Sequence, residues 1–445
     1  MKTMILILFG FFLAAPLHVA AQDDSPPGFL LKSVRVFDGE STIDSSDVLV
    51  IDGMIAKMGQ GIEPSDDVEL IDGTGMTLLP GLIDCHVHAY FAGQLKQAAE
   101  FGVTTVCDMM SMPYGAAGMR SAQEKDGAPN RADYLSAGAA VTVEGGHGTQ
   151  FGFKVPVLEN AEGAEKFIED RFREGSDYIK IIHEPGTAYG LVRPTLSDEM
   201  LKASIAATND REKLAVAHIG TMEGAELVVE HGIAGLVHLF ADQKISDELL
   251  AAMKEKQIFV VPTTVVIQNI TGPATVDSLI KDEYIGPLLS PNDVTSLQTT
   301  FPKSDEATNT TENLYYNIAA LEKAGIAVVA GTDAPNPGTT FGASIHHELE
   351  LLTLAGLTNE QALAAATSRA ADAFKLEDRG RIQVGFRADL VLVEGNPVED
   401  IKATRNIQRV WKTGHAIDLE SRPESIKKAW DKKKERENKD GSRKR

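Results

Sequence analysis

Cysteine is scarce: Cys85 and Cys107 are the only two among 445 residues. Two thiols set in apolar, strand-like text do not make a disulfide framework, so a packed core must hold the fold. Basic charge is also short, since 43 Lys and Arg against 64 Asp and Glu leave a formal net charge of −21. That excess of acid excludes nucleic acid as a partner, because phosphate binding needs a basic surface. Long hydrophobic runs are missing too. The run from Met4 to Leu17 is short for a bilayer span, and no stop-transfer pattern follows it. With Lys2 before it and Val19-Ala20-Ala21 after it, it follows the plan of a secretory signal peptide over 1–21, cleaved before Gln22. No cysteine stands at the new N-terminus to carry a lipid. Export to the periplasm or the medium is expected, with no membrane span after cleavage; a retained anchor is the alternative.

What is present is ordinary for a globular chain, 43% hydrophobic and 24% charged, and long enough for one large α/β domain and a smaller one. Residues 22–79 are β-like, punctuated by Asp38-Gly39, Asp52-Gly53 and Asp72-Gly73 as hairpin turns would be. A similar pattern returns at 381–423. Neither segment buries a core alone, so one small β-sandwich built from both chain ends is expected. Over 80–380, a short apolar strand within the stretch 79–88 and strands at 103–107, 134–139, 178–182, 214–219, 235–240, 258–262 and 326–330 alternate with helical text. Repeated units of this kind predict a (β/α)8 TIM barrel. The alternative, a doubly wound open sheet, would carry a glycine-rich phosphate turn after its first strand, and none appears. Residues 268–311 break the alternation and read as a lid insertion on the rim. Residues 424–445 read as a charged, disordered tail that starts as a solvated helix.

Chemistry is concentrated at strand ends. In Leu82-Ile83-Asp84-Cys85-His86-Val87-His88 the two histidines are one residue apart, so on a strand they share a face and offer half a metal site. Barrel active sites lie at the C-terminal ends of the strands. Lys180, His218, His238 and Asp333 all fall late in, or directly after, predicted strands. Polar residues at the same place in five strands are hard to explain by packing, since each is costly to bury without a partner. His147 stands among glycines in Glu144-Gly145-Gly146-His147-Gly148, where a substrate can approach the backbone. Tyr189 and His183 are weaker candidates for substrate contact near the mouth of the site.

The stretch Leu79-Pro80-Gly81-Leu82-Ile83-Asp84-Cys85-His86-Val87-His88, and the order His-x-His, Lys, His, His, Asp, resemble the amidohydrolase superfamily. Phe101-Gly102-Val103-Thr104-Thr105-Val106, Gly331-Thr332-Asp333 and Gly385-Phe386-Arg387-Ala388-Asp389-Leu390 are similar to its binuclear-metal members, in the imidazolonepropionase-like and prolidase-like branch. The resemblance implies two divalent ions: His86, His88 and Asp333 on the more buried one, His218 and His238 on the other. Lys180 would be carboxylated on its amine, as N6-carboxylysine, and bridge both. Histidine and carboxylate ligands suit zinc, with manganese or cobalt as alternatives. It further implies cleavage of an amide-type bond in a dipeptide or N-acyl amino acid by a metal-bridging hydroxide, with Asp333 moving the proton and His147 holding substrate or oxyanion. Cys107 and the methionines of Met109-Met110-Ser111-Met112 depart from the family pattern and make that rim apolar and adaptable. Alternatives are a cyclic amidase or lactonase, a single-metal deaminase in which an unmodified Lys180 pairs with Asp333, and a barrel that binds a small ligand without hydrolysing it. The expected partner is a small-molecule substrate, with a homo-oligomer left open.

Overall fold

The Asp52-Gly53 pair shows how the N-terminal strands arise. Both residues have positive φ, 49° and 75°, the two-residue turn whose twist suits an antiparallel hairpin. It joins β2 (Thr42–Ile51) to β3 (Met54–Gly59), and Asp38-Gly39 likewise turns β1 (Phe29–Phe37) into β2. Asp72-Gly73 does not make the expected hairpin. β4 (Glu69–Asp72) and β5 (Met76–Pro80) lie in series, both parallel to β1, and the Gly73 N–H donates to Lys32 O. The computed structural model describes residues 28–65, 67–126, 129–150, 152, 154–272 and 275–443. The expected signal peptide lies outside the described residues.

The remaining strands are β6 (Leu82–Val87), β7 (Val103–Asp108), β8 (Asp133–Ser136), β9 (Ile179–His183), β10 (Ala215–Ile219), β11 (Gly235–Val237), β12 (Phe259–Val261), β13 (Leu390–Glu394), β14 (Ile407–Lys412) and β15 (His415–Ala416). Both chain ends do meet, but in one hydrogen-bonded eight-stranded sheet, order β15-β14-β13-β5-β1-β2-β3 with β4 also on β1. This replaces the expected sandwich: β13 pairs antiparallel with β5, so the C-terminal strands extend the N-terminal sheet. Phe29 stacks on Trp411 with ring centroids 4.6 Å apart, within a core that includes Val34, Val48 and Leu390.

The parallel strands form two α/β sheets, β6-β7-β8 and β12-β11-β10-β9. The strand expected at 326–330 is reduced to backbone contacts. Val328 bridges Val260, the Cys85 N–H donates to Ala330 O, and Val87 bridges Ala334. Gly331 accounts for the close approach, since a Cβ there would stand 2.9 Å from the His86 backbone nitrogen. Across the other gap Val141 bridges Ile181. Ile83, Cys85, Cys107, Val216, Val237, Val261 and Val329 share a core fed by both sheets, and both thiols are free and buried there.

Segment 268–311 is partly helical, with helices Asp277–Ile280 and Pro291–Gln298. Leu279, Ile285, Leu289 and Leu297 pack with Phe101 and Ala343. The helix expected at the start of the tail runs further than expected, over Ser421–Arg443. Two side chains anchor its start. Arg422 pairs with Glu100 and lies 4.6 Å from the Phe101 ring, and Trp430 Nε1 donates to Leu289 O at 3.1 Å.

One ion cluster ties the sheet from both chain ends to β8. Asp133, 6% exposed, contacts Arg379 at 2.6 Å, Arg387 at 2.7 Å and Lys412 at 3.0 Å. Burial disfavours its charge, but Lys412, Arg387 and Arg379 outweigh that and hold its carboxyl well below the usual range. Asp133→Asn removes the carboxylate shared by three cations and leaves them only Asp378 and Asp389, so a loss of about 3 kcal/mol in urea unfolding is expected. A carboxyl depressed in the folded state stabilises fully above its unfolded value of about 4 and loses that contribution as pH falls further. The gap between wild type and variant should therefore be constant at neutral pH and shrink below about pH 4.

Candidate metal centre and its cavity

His86 and His88 leave the end of β6 on one face, as their spacing predicts. Their Nε2 atoms lie 3.4 Å and 3.1 Å from Asp333 Oδ1. The three residues form a group whose ligand atoms all lie within 4.8 Å of one another. Asp84 sets this geometry from behind: its carboxylate accepts from the His86 N–H at 3.2 Å, the Thr332 N–H at 3.0 Å and Thr332 Oγ1 at 2.7 Å. Burial raises the Asp84 carboxyl to about 7 despite these donors. Asp333 itself has φ 59°, with its N–H donating to His86 O at 2.7 Å. His238 (φ 77°) and Thr263 (φ 48°) share this left-handed backbone, which costs of order 1–3 kcal/mol per residue and clusters at functional sites.

The other strand-end residues converge on the same place. Lys180 Nζ lies 3.3 Å from His86 Nε2. The His86 and His238 rings are 4.6 Å apart, and His218 lies 4.5 Å from His238. Hydrogen bonds settle two tautomers. Thr263 Oγ1 donates to Pro262 O at 2.7 Å, so it accepts from His238 Nδ1–H at 2.6 Å and leaves the Nε2 lone pair free. His88 Nδ1 faces the carbonyl of Met110 at 3.3 Å and must donate to it. Its Nε2 lone pair then faces Asp333 Oδ1, two acceptors in contact, an arrangement that calls for a cation between them. Burial, the first cause in each case, keeps the imidazoles uncharged: His86 and His218 are pushed well below their ordinary value, His238 to about 3 and His147 to about 4. Burial likewise lowers Lys180 to about 8. On Asp333, burial is outweighed by the close contact with His88 and the electropositive surroundings that His238, His88 and Lys180 provide, so its carboxyl lies below the usual range. Neutral imidazoles around an ionised carboxylate suit a divalent ion.

These groups open into a cavity of about 850 Å³ that His147, Tyr189, Met110 and Tyr90 also line. The His147 ring lies 4.6 Å from that of His218. His183 does not line it. Lys180 and Ile182 face the cavity, so alternation along β9 turns His183 the other way, towards Gly224 in the helix after β10. The same alternation brings Glu184 in, a residue that sequence reasoning overlooked. Also overlooked were Arg193, Lys303 and the apolar wall of Val266, Ile267, Ile270 and Phe301. Lys303 is tied to Gly272 O at 3.0 Å, whereas among the described residues the Arg193 guanidinium has no hydrogen-bond or ion-pair partner. Glu348, fully buried, accepts from the Thr264 and Val265 N–H groups at 2.9 and 2.8 Å and thereby braces Thr263 behind His238. Burial raises its carboxyl to about 8.

Fold and site together define an α/β protein with a candidate metal centre at the ends of parallel strands. The chain belongs to the amidohydrolase family, which matches residues 77–417, and acts on amide-type carbon–nitrogen bonds. It is 29% identical over 395 residues to an imidazolonepropionase of Cereibacter sphaeroides, covering 83% of this chain and 93% of the relative. An ochratoxinase of Aspergillus niger is 23% identical over 456 residues, covering 90% of this chain and 88% of that one. Among solved structures, a Xaa-Pro dipeptidase with bound methionine shares the fold at TM-score 0.72 and 22% identity, over 87% of this chain and 99% of that one.

Proposed function

We propose that the protein is an exported hydrolase that cleaves the amide bond of dipeptides or N-acyl amino acids, using two divalent ions, zinc by ligand type, in a (β/α)8 barrel closed by the 326–334 segment. His86, His88 and Asp333 would hold the inner ion and His218 and His238 the outer one, with Lys180, carboxylated on its amine, between them. The observation that carries the substrate class is the cavity itself. It joins five of the six metal-type side chains to an unpaired guanidinium, Arg193, and an apolar wall. A guanidinium with no protein partner suits a free carboxylate, and the wall suits an apolar side chain. The similarity to a Xaa-Pro dipeptidase supports the dipeptide reading.

Bound divalent ions supply a water acidified enough to attack at neutral pH and a polarised scissile carbonyl. The protein supplies the rest. Asp333, ionised and fixed by its backbone, takes the proton of the attacking water and passes it to the leaving nitrogen. His147, neutral at working pH, donates a hydrogen bond to the substrate's acyl oxygen. Arg193 and Tyr189 hold the carboxylate end, so that the scissile bond lies over the histidines.

The test is a screen of the metal-loaded protein against dipeptides, N-acyl amino acids, cyclic amides and lactones. Acyclic amides with a free carboxylate should be the substrates. Arg193→Met should raise their KM about 10- to 100-fold, the worth of one charged hydrogen-bonded contact, and change kcat far less. Preference for neutral cyclic amides or lactones, unaffected by Arg193→Met, would contradict the proposal.

A further inference from the structure

Two buried atoms beside the cavity have no hydrogen-bond partner among the described residues, Nδ1 of His218 and Oε2 of Glu184. Their residues are 6% and 2% exposed. The carboxylate is pinned: Oε1 accepts from the Gly186 N–H at 2.6 Å, and the Glu184 N–H donates to Thr195 Oγ1 at 3.0 Å. Oε2 fills the space over Gly220, where any Cβ would collide with it, and stands 3.6 Å from His218 Nε2. The His218 ring is itself held between His147 and His238, at 4.6 and 4.5 Å.

We propose that Glu184 is the positioning residue for His218, taking the proton on Nε2 so that Nδ1 offers its lone pair to the outer ion. This rests on the two-ion reading above. A neutral imidazole carries one N–H and one lone pair, and a ligating histidine needs an acceptor for the N–H that faces away from the metal. With the proton on Nε2, both orphaned atoms face a favourable partner, Oε2 that N–H at 3.6 Å and Nδ1 the cation. With the proton on Nδ1, the Nε2 lone pair faces a carboxylate and the buried N–H has no acceptor, so both contacts are unfavourable. Because Gly186 already occupies Oε1, the position requires a group that accepts on both oxygens. An amide of the same shape accepts on one end only, and the carboxylate occupies space that only a glycine at 220 leaves open.

The experiment strips the full-length protein with a chelator and titrates it with Zn²⁺ alone by calorimetry, with metal counted after dialysis. Wild type should bind two ions per chain. Glu184→Gln should weaken the second ion about 10- to 100-fold and leave the first unchanged. Gly220→Ala, whose φ suits alanine, should reproduce that loss with Glu184 intact, by displacing the carboxylate. Circular dichroism of each variant confirms the fold. Two wild-type ions, both held with unchanged affinity in both folded variants, would overturn the inference and make Glu184 a substrate contact. A wild type that holds one ion or none overturns the two-ion reading, and this inference with it.

Discussion

Asp333→Asn should lower kcat by about 10³-fold or more while KM stays within a few-fold of wild type. The carboxylate contacts both His86 and His88, at 3.4 and 3.1 Å from their Nε2 atoms. Its left-handed backbone and the hydrogen bond from its own N–H to His86 O fix where it points. Asparagine keeps the shape and one acceptor oxygen but cannot take a proton, so the change separates proton transfer from packing. On the proposed reading substrate is held by other lining residues, Arg193 among them, which is why KM should be spared. The measurement is steady-state kinetics on variant protein whose metal content has been matched to wild type. If the matched variant keeps a tenth of wild-type kcat, Asp333 is not the proton carrier.

Much of this site could be read from the sequence because strands encode direction. His86-Val87-His88 had to place two imidazoles together, and Lys180, His218, His238 and Asp333 stand at strand ends as a barrel would have them. The same rule applied with more care would have excluded His183 and selected Glu184, since Lys180, Ile182 and Glu184 are two residues apart in turn. Pairing, by contrast, has no local signature. Nothing in Glu69–Asp72 or Met76–Pro80 says that both run parallel to β1, and nothing in Leu390–Glu394 says that it extends the N-terminal sheet instead of forming a second one. The missing eighth strand has a local cause: after Val329 the chain presses close to His86 at Gly331 and enters left-handed φ at Asp333, leaving bridges where a ladder was expected. Arg193, Lys303 and Phe301 come from two distant loops and meet only in the folded cavity. Composition alone made the helix at the start of 424–445 look solvated and fraying, because its anchors, Glu100 and the carbonyl of Leu289, lie hundreds and more than a hundred residues away in the chain.

Lys180→Ala should leave a folded protein that binds fewer ions than wild type and shows no measurable turnover, and added short-chain carboxylates such as propionate should restore part of both. Lys180 is 3% exposed and its polar contact is a histidine nitrogen at 3.3 Å. Among the described residues no carboxylate lies within ion-pair distance of its amine, so the structure does not favour a lysine kept simply as a counter-ion to Asp333. A buried ammonium without a counter-charge is costly, and burial lowers its pKa to about 8, which makes the free amine accessible near neutral pH. An amine that reacts with carbon dioxide becomes a carbamate with two oxygen donors, converting a group that repels cations into one that binds them. Removing the side chain opens room for a small carboxylic acid to stand in the same place, which is why rescue is expected from propionate and not from chloride at equal ionic strength. The same chemistry makes reconstitution depend on carbon dioxide: apo wild type given Zn²⁺ in degassed buffer should recover activity more slowly than in bicarbonate. Equal recovery in both buffers, with no rescue of Lys180→Ala, would leave Lys180 unmodified and reduce the centre to a single ion held by His86, His88 and Asp333.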